Sequence, residues 1–191
     1  FLDVIGYKIY CKLFLAGKAR DWQKNKLAQL CRDYPKIPDE TDILLTSNPN
    51  SNRTRDFMKK RNPDIVFARC KSLLKEKIFS IPGAGIFVAH PGICPEYRNS
   101  HGCFWALAHG DIEKVGMTLL KIDKGIDTGP VHGYFTCDYD EVKDSHIIIQ
   151  DMMTFENLEG IKIKFEEIAD GDCRIVDTSG RSSRVWGQPW L

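Results

Sequence analysis

The sequence lacks a CxxC pair, although it holds seven cysteines. Their odd number and scattered positions argue against a disulfide framework and for reduced thiols in a cytoplasm-like compartment. It lacks any apolar run near the roughly 18 residues that a membrane-spanning helix needs, so no membrane attachment is expected. It lacks an excess of charge: 27 Lys and Arg stand against 26 Asp and Glu, for a net +1. Nucleic acid is therefore not an expected partner. Internal repeats and low-complexity tracts are absent. So is a recognisable secretory leader, but the chain opens on Phe1 rather than Met. Further sequence upstream, including a targeting segment, is therefore open.

What is present fits one globular unit. The chain has 191 residues, 42% of them hydrophobic and 28% charged. A chain of this length can bury about 70% of its unfolded surface without staples. Apolar residues at helical spacing run from Val4 to Leu30, with Gly17 as the expected break. Pro35 and Pro38 enforce a loop. "DILLTS" (42–47) has the length and composition of a strand. Ser51 is placed to cap a helix over 52–62. "DIVFA" (64–68) and "GIFVAH" (85–90) read as buried strands, with "KSLLKEKIF" (71–79) as a short helix between them.

"SHGCFWALAHG" (100–110) reads as a helix, and "GMTLLKID" (116–123) with "VHGYFTCDY" (131–139) as a strand pair open to antiparallel pairing. Ser145–Asp170 reads as a long helix, with turns near its glycine allowed. The tail from Gly180 shows no periodicity, and its Trp186 and Trp190 are candidates to cover the core or meet a partner. Alternating strands and helices predict an α/β fold, doubly wound on a mostly parallel sheet. Such sheets ordinarily begin with a strand, so one is expected upstream of Phe1. The domain prediction is 1–170, with a helical part at 1–40, followed by a tail at 171–191.

Two stretches carry the chemistry. "HPGICPEYRNSHGCFWALAHGD" places His90 at the C-terminal end of a strand, where open α/β sheets bind ligands. Pro91 and Pro95 stiffen the loop that follows. "GIDTGP" presents Asp127 between Gly125 and Gly129, which permit tight turns and close approach. An imidazole and a carboxylate meeting in one cleft form a general acid–base pair able to stabilise an oxyanion.

Together, the His-Pro strand end, the loop "GICPEYRN", the helix "HGCFWALAHGD" and the turn "DKGIDTGP" resemble the formyltransferase fold family. That family includes glycinamide ribonucleotide, methionyl-tRNA and sugar-amine formyltransferases. The upstream "PDIVFARCKSLLKEKIFSIP" extends the likeness to about residues 63–135. The resemblance implies a Rossmann-like fold, 10-formyltetrahydrofolate as formyl donor, and a small-molecule amine acceptor such as an amino sugar. It assigns catalysis to His90 and Asp127. It places the pterin against Arg69, Cys70, Lys71, Leu73, Leu74, Asp123 and Ile126. By their side-chain chemistry, Tyr97, Arg98 and Asn99 in the loop after His90 are acceptor-binding candidates, Arg98 because a guanidinium grips anionic groups. His101 is open equally to binding the acceptor and to capping the helix that follows.

One position departs from the family pattern. Asn ordinarily stands two residues before the histidine, and here that position is Val88. Asn99 or His101 is the expected replacement donor. The alternatives are a hydrolase of the same fold and a folate- or metabolite-binding protein with impaired catalysis. No metal is expected, because His90, Cys94, His101 and Cys103 lack the spacing of a zinc site. Cys94 and Cys103 are expected to pack in the core.

Overall fold

Ile65–Ala68 (β1) and Gly85–Pro91 (β2) pair in parallel and begin the central sheet of the computed structural model, which describes residues 2–189. Parallel neighbours need a crossover. It is supplied by a loop and a single helical turn, Glu76–Phe79 (α4). The expected helix over 71–79 is thus confined to its last residues; 71–75 form bends and extended chain.

After a two-residue strand, Arg98–Asn99 (β3), and a short helix, Gly102–Ala108 (α5), the chain returns as Met117–Lys121 (β4). Val131–Phe135 (β5) follows. The order is β1-β2-β4-β5, and both β2–β4 and β4–β5 are antiparallel. The α/β class holds, and the parallel part of the described sheet is the β1–β2 pair. The later strands pair antiparallel, the arrangement left open for them above. A hairpin joins β4 to β5, so that pair needs no crossover.

Both faces of the sheet are covered, which explains why β4 is buried from Met117 to Leu120 without alternation. On one face Phe87 meets Phe165 and His132 edge-on. On the same face Met117, Cys103, Trp105, Ile149 and Met153 join a core cluster that includes Tyr97 and Trp186. On the opposite face Ile86 and Leu120 are each 2% exposed or less. Phe87 and Met117 are each 1% exposed or less. Burying one such side chain stabilises by roughly 1.5–3 kcal/mol. Cys94 and Cys103 lie in this core, as expected, and burial above all pushes both thiols up to about 12. All seven cysteines are free.

Several local expectations are corrected. Residues 42–47 form no strand: Ile43 and Leu45 are 65% and 83% exposed. A short apolar run becomes a strand only where a neighbour offers its backbone, and none does here among the described residues. The N-terminal helix does not break at Gly17. Leu2–Tyr10 (α1) passes through a π-helical turn at Cys11–Leu15 into Ala16–Asp33 (α2), which contains Gly17.

Ser51 does cap Asn52–Arg61 (α3), accepting from the Thr54 amide. The long C-terminal helix is two, His146–Phe155 (α6) and Leu158–Ala169 (α7). They part at Asn157, whose side-chain amide donates to the Thr136 and Met153 carbonyls. Residues 171–189 fold back, and Val185–Trp186 (β6) pairs with β3. Trp186 covers the core; Trp190 lies outside the described residues. Among those residues no helix is long and apolar enough to cross a membrane.

Candidate active site

Strand β2 carries His90 one residue before its end, 6% exposed, and the β4–β5 hairpin brings Asp127 to it. Asp127 Oδ2 lies 3.4 Å from His90 Nδ1. The other ring nitrogen, Nε2, lies 2.8 Å from the Tyr97 carbonyl oxygen. Both nitrogens therefore face oxygen acceptors, an arrangement that the imidazolium satisfies with one N–H each.

The turn carrying Asp127 is built for close approach. Asp127 itself takes a left-handed backbone, φ 51°. Aspartate tolerates this conformation better than most residues. The Asp123 carboxylate closes the turn, accepting from the Gly125 amide and the Thr128 hydroxyl. A Cβ on Gly129 would run into the Lys121 carbonyl oxygen. A second tight passage lies behind His90. There a Cβ on Gly92 would stand 2.6 Å from the Tyr97 carbonyl oxygen and 2.9 Å from the Gly102 Cα. Glycine at 92 thus lets the 92–102 loop close against the imidazole.

Two adjoining cavities meet at this pair. One, of about 380 Å³, is mainly apolar and bounded by Leu74, Phe79, Leu120 and Ile122, with Glu76 and Asp123 among its polar groups. The other, of about 510 Å³, contains His90 and is more polar, with Asn99, Gln150, Asp151 and Gln188 in its wall. Asp127, Val88, Cys70 and Leu73 line both. Volumes of this size suit small organic ligands.

The sequence-predicted residues divide between them. Leu74 and Asp123 line the apolar cavity; Arg69, Lys71, Asn99 and Ile126 line the polar one. Tyr97 lines neither. It is 5% exposed, its ring stacks on Trp186 and its hydroxyl donates to Asp111 at 3.0 Å. Its aromatic body serves the core, and only its backbone carbonyl reaches the imidazole. Arg98 also lines neither cavity: its Nη1 donates to the Ile126 carbonyl at 3.0 Å. It thereby fastens the Asp127 turn.

The Asn99 backbone amide donates to Asp127 Oδ2 at 2.8 Å, while its side-chain amide donates to the Trp186 carbonyl. His101 stands at the start of α5 without capping it and pairs with Gln188 at 3.3 Å. Burial above all holds its imidazole below the usual range, and it lines neither cavity.

Sequence reasoning missed Gln150, Asp151 and Thr154 on α6, and Gln188 in the tail. Asp151 is held by Gln23 of α2 at 2.7 Å and approached by Arg69 at 3.9 Å. These polar residues on an otherwise apolar helix were the available signal. Among the described residues no cluster of three or more His, Cys, Asp or Glu side chains could hold a metal.

The formyl transferase family model matches residues 15–160, from the end of the π-helical turn into α7. The chain belongs to the formyl transferase family. A methionyl-tRNA formyltransferase from Kosmotoga olearia is 29% identical over 116 residues, covering 60% of this chain and 35% of that protein. The chain thus spans about a third of that formyl transferase's length.

Solved structures repeat the fold. A sugar N-formyltransferase from Shewanella sp. FDAARGOS_354 superposes with a TM-score of 0.61 at 14% identity, over 87% of this chain and 71% of the other. The formyltransferase PseJ from Anoxybacillus kamchatkensis gives 0.56 at 16% identity, over 87% and 80%. That protein was solved with UDP-4,6-dideoxy-4-formamido-L-AltNAc and tetrahydrofolate. For this chain, these similarities establish the formyl transferase fold.

Proposed function

We propose that this chain transfers a formyl group from 10-formyltetrahydrofolate to the amine of a small molecule, an amino sugar or related metabolite. The observation that carries the reading is the His90–Asp127 pair at the junction of an apolar and a polar cavity. The apolar cavity fits the donor's flat heteroaromatic ring. Leu74, Val88, Leu120 and Ile122 offer it an apolar wall, and the backbone of the 122–125 turn offers hydrogen-bond groups to its polar edge. The donor supplies an activated formyl carbon. The polar cavity, with the Gln150 and Gln188 amides and the Asp151 carboxylate, suits a hydroxylated acceptor.

In this reading the acceptor nitrogen forms a bond to the formyl carbon, and the bond from that carbon to the donor nitrogen breaks. The imidazolium of His90 stabilises the negative oxygen that develops between the two events. Its 3.4 Å contact with Asp127 is longer than a good charge-assisted hydrogen bond, so a substrate oxygen can compete for the Nδ1 proton. Asp127 orients the ring through Nδ1 and takes the proton that the attacking amine sheds, through water. An equal proton goes to the departing nitrogen. Burial of His90 excludes bulk solvent, which strengthens each of these interactions.

One observation favours a second reading, a folate-binding protein with impaired turnover. Val88 lines both cavities and its side chain offers no hydrogen bond where the family pattern has an amide. The two replacement donors expected from the sequence are otherwise engaged: the Asn99 side chain with Trp186, and His101 with Gln188.

The test incubates the full chain with 10-formyltetrahydrofolate and a panel of amino sugars, free and nucleotide-linked, with formylated product detected by mass spectrometry. Product that depends on both His90 and Asp127 is expected. Donor binding without product supports the second reading. Free formate released without any amine indicates a hydrolase. Failure to bind the donor overturns all three.

A further inference from the structure

We infer that the C-terminal segment 181–186 is a positioning element for the His90–Asp127 pair, with Arg181 and Glu96 as its fastening. The inference rests on the formyl-transfer reading for its catalytic consequence, but its geometric content does not. The 94–99 loop is the common support of the pair. Its Tyr97 carbonyl accepts from His90 Nε2, its Asn99 amide donates to Asp127, and Arg98 donates to the Ile126 carbonyl next to Asp127. Displacing this loop therefore disturbs both partners at once.

The loop is held from behind by the tail. The Arg98 amide donates to the Arg184 carbonyl at 3.1 Å, and the Arg184 amide returns a bond to the Pro95 carbonyl at 3.1 Å. Trp186 Nε1 donates to the Glu96 carbonyl at 2.8 Å, and the Trp186 ring stacks on Tyr97 at 5.7 Å between centroids. Arg181 completes the grip with two hydrogen bonds to Glu96, at 3.0 and 2.7 Å. It spends a third donor on the Tyr134 hydroxyl at 2.6 Å, and that hydroxyl donates to the Cys94 carbonyl at 2.6 Å.

The fastening is well placed to be stiff. The Glu96 side chain is 11% exposed and that of Arg181 27%, so their contact is only partly screened by water. Burial pushes the Glu96 carboxyl up, but the Arg181 hydrogen bonds, helped by Lys114, outweigh it and hold the group below the usual carboxylate range. A planar guanidinium gripping a carboxylate through two parallel bonds fixes orientation as well as distance. Neither Arg181 nor Glu96 lines the two cavities. Any effect they have on the reaction must therefore pass through the loop.

The experiment uses the full chain without donor or acceptor. Solvent exchange of the His90 ring N–H protons is followed by NMR, with the signals assigned by their absence in His90→Asn. Wild type is compared with Arg181→Met and with Glu96→Gln, a nearly isosteric change chosen to preserve folding. Acceleration of about tenfold in each variant that keeps the wild-type circular dichroism is expected. Unchanged exchange in either folded variant overturns the inference. Where formyl transfer is measurable, kcat falls roughly 10–100-fold while KM for the donor stays within about twofold. The exchange readout needs no turnover. A failure of the formyl-transfer reading would therefore leave it intact, and a failure of the fastening would leave donor binding and His90 dependence intact.

Discussion

Two of the stretches of chain that bound the site work differently. Residues 85–131 supply the reactive groups, and residues 146–188 supply their surroundings. In the first, a strand end and a hairpin turn each deliver one side chain, His90 and Asp127, to a common point. In the second, α6 contributes a polar wall and the tail braces a loop from behind. The first stretch does its work through side chains aimed at the cavities. Much of the second works through backbone contacts and buried rings. Damage to the first should therefore show in rate, and damage to the second in stability or in the fixity of the pair.

The largest expected effect breaks the comparison from the tail. Trp186→Ala removes a 7%-exposed ring that stacks on Tyr97 and Trp105. It should cost about 3–5 kcal/mol of stability in denaturant unfolding. A loss confined to activity would mean the tail is not part of the core. Next, His90→Asn or Asp127→Asn should lower formyl transfer by about 10²–10³-fold, with the circular dichroism spectrum unchanged.

The sequence showed the first stretch well and the second poorly, and the cause is physical. His90, the 92–102 loop and the 123–130 turn are contiguous or nearly so, and strand ends and glycine-bearing turns have local signatures. The polar wall depends on which way α6 lies across the sheet. Gln150 and Asp151 read as ordinary helix residues until that packing is known. Tyr97 and Arg98 were assigned to an acceptor because their side chains are of the kind that bind ligands. The fold instead uses the same chemistry to stack on Trp186 and to fasten Ile126. The 42–47 run failed as a strand for the complementary reason: apolar composition permits pairing but provides no partner.

Val88→Asn sharpens the comparison at the junction of the two cavities. Restoring an amide there should raise kcat by about tenfold or more if the missing donor limits turnover. An unchanged kcat would show that another group already fills that role.

The smallest effect concerns His146, at the start of α6 and away from the pair. Burial, followed by the nearby His101, pushes its imidazole down to about 4, and it sits 2.6 Å from the Tyr7 hydroxyl. Its unfolded value is near 6.5, so between these limits the unfolded chain binds the proton more readily. Stability from the neutral ring is therefore present above about pH 6.5 and lost as pH falls toward 4. His146→Gln should flatten the thermal-stability profile across that window and leave it unchanged above it.

The most direct measurement is a crystal structure of the full chain with a non-hydrolysable 10-formyltetrahydrofolate analogue. The account predicts the pterin in the apolar cavity beside Leu74 and Ile122. It also predicts the formyl-equivalent oxygen within about 3.5 Å of His90, with Asp127 still on the imidazole. A folate seated elsewhere, or an analogue whose formyl position points away from His90, would contradict it.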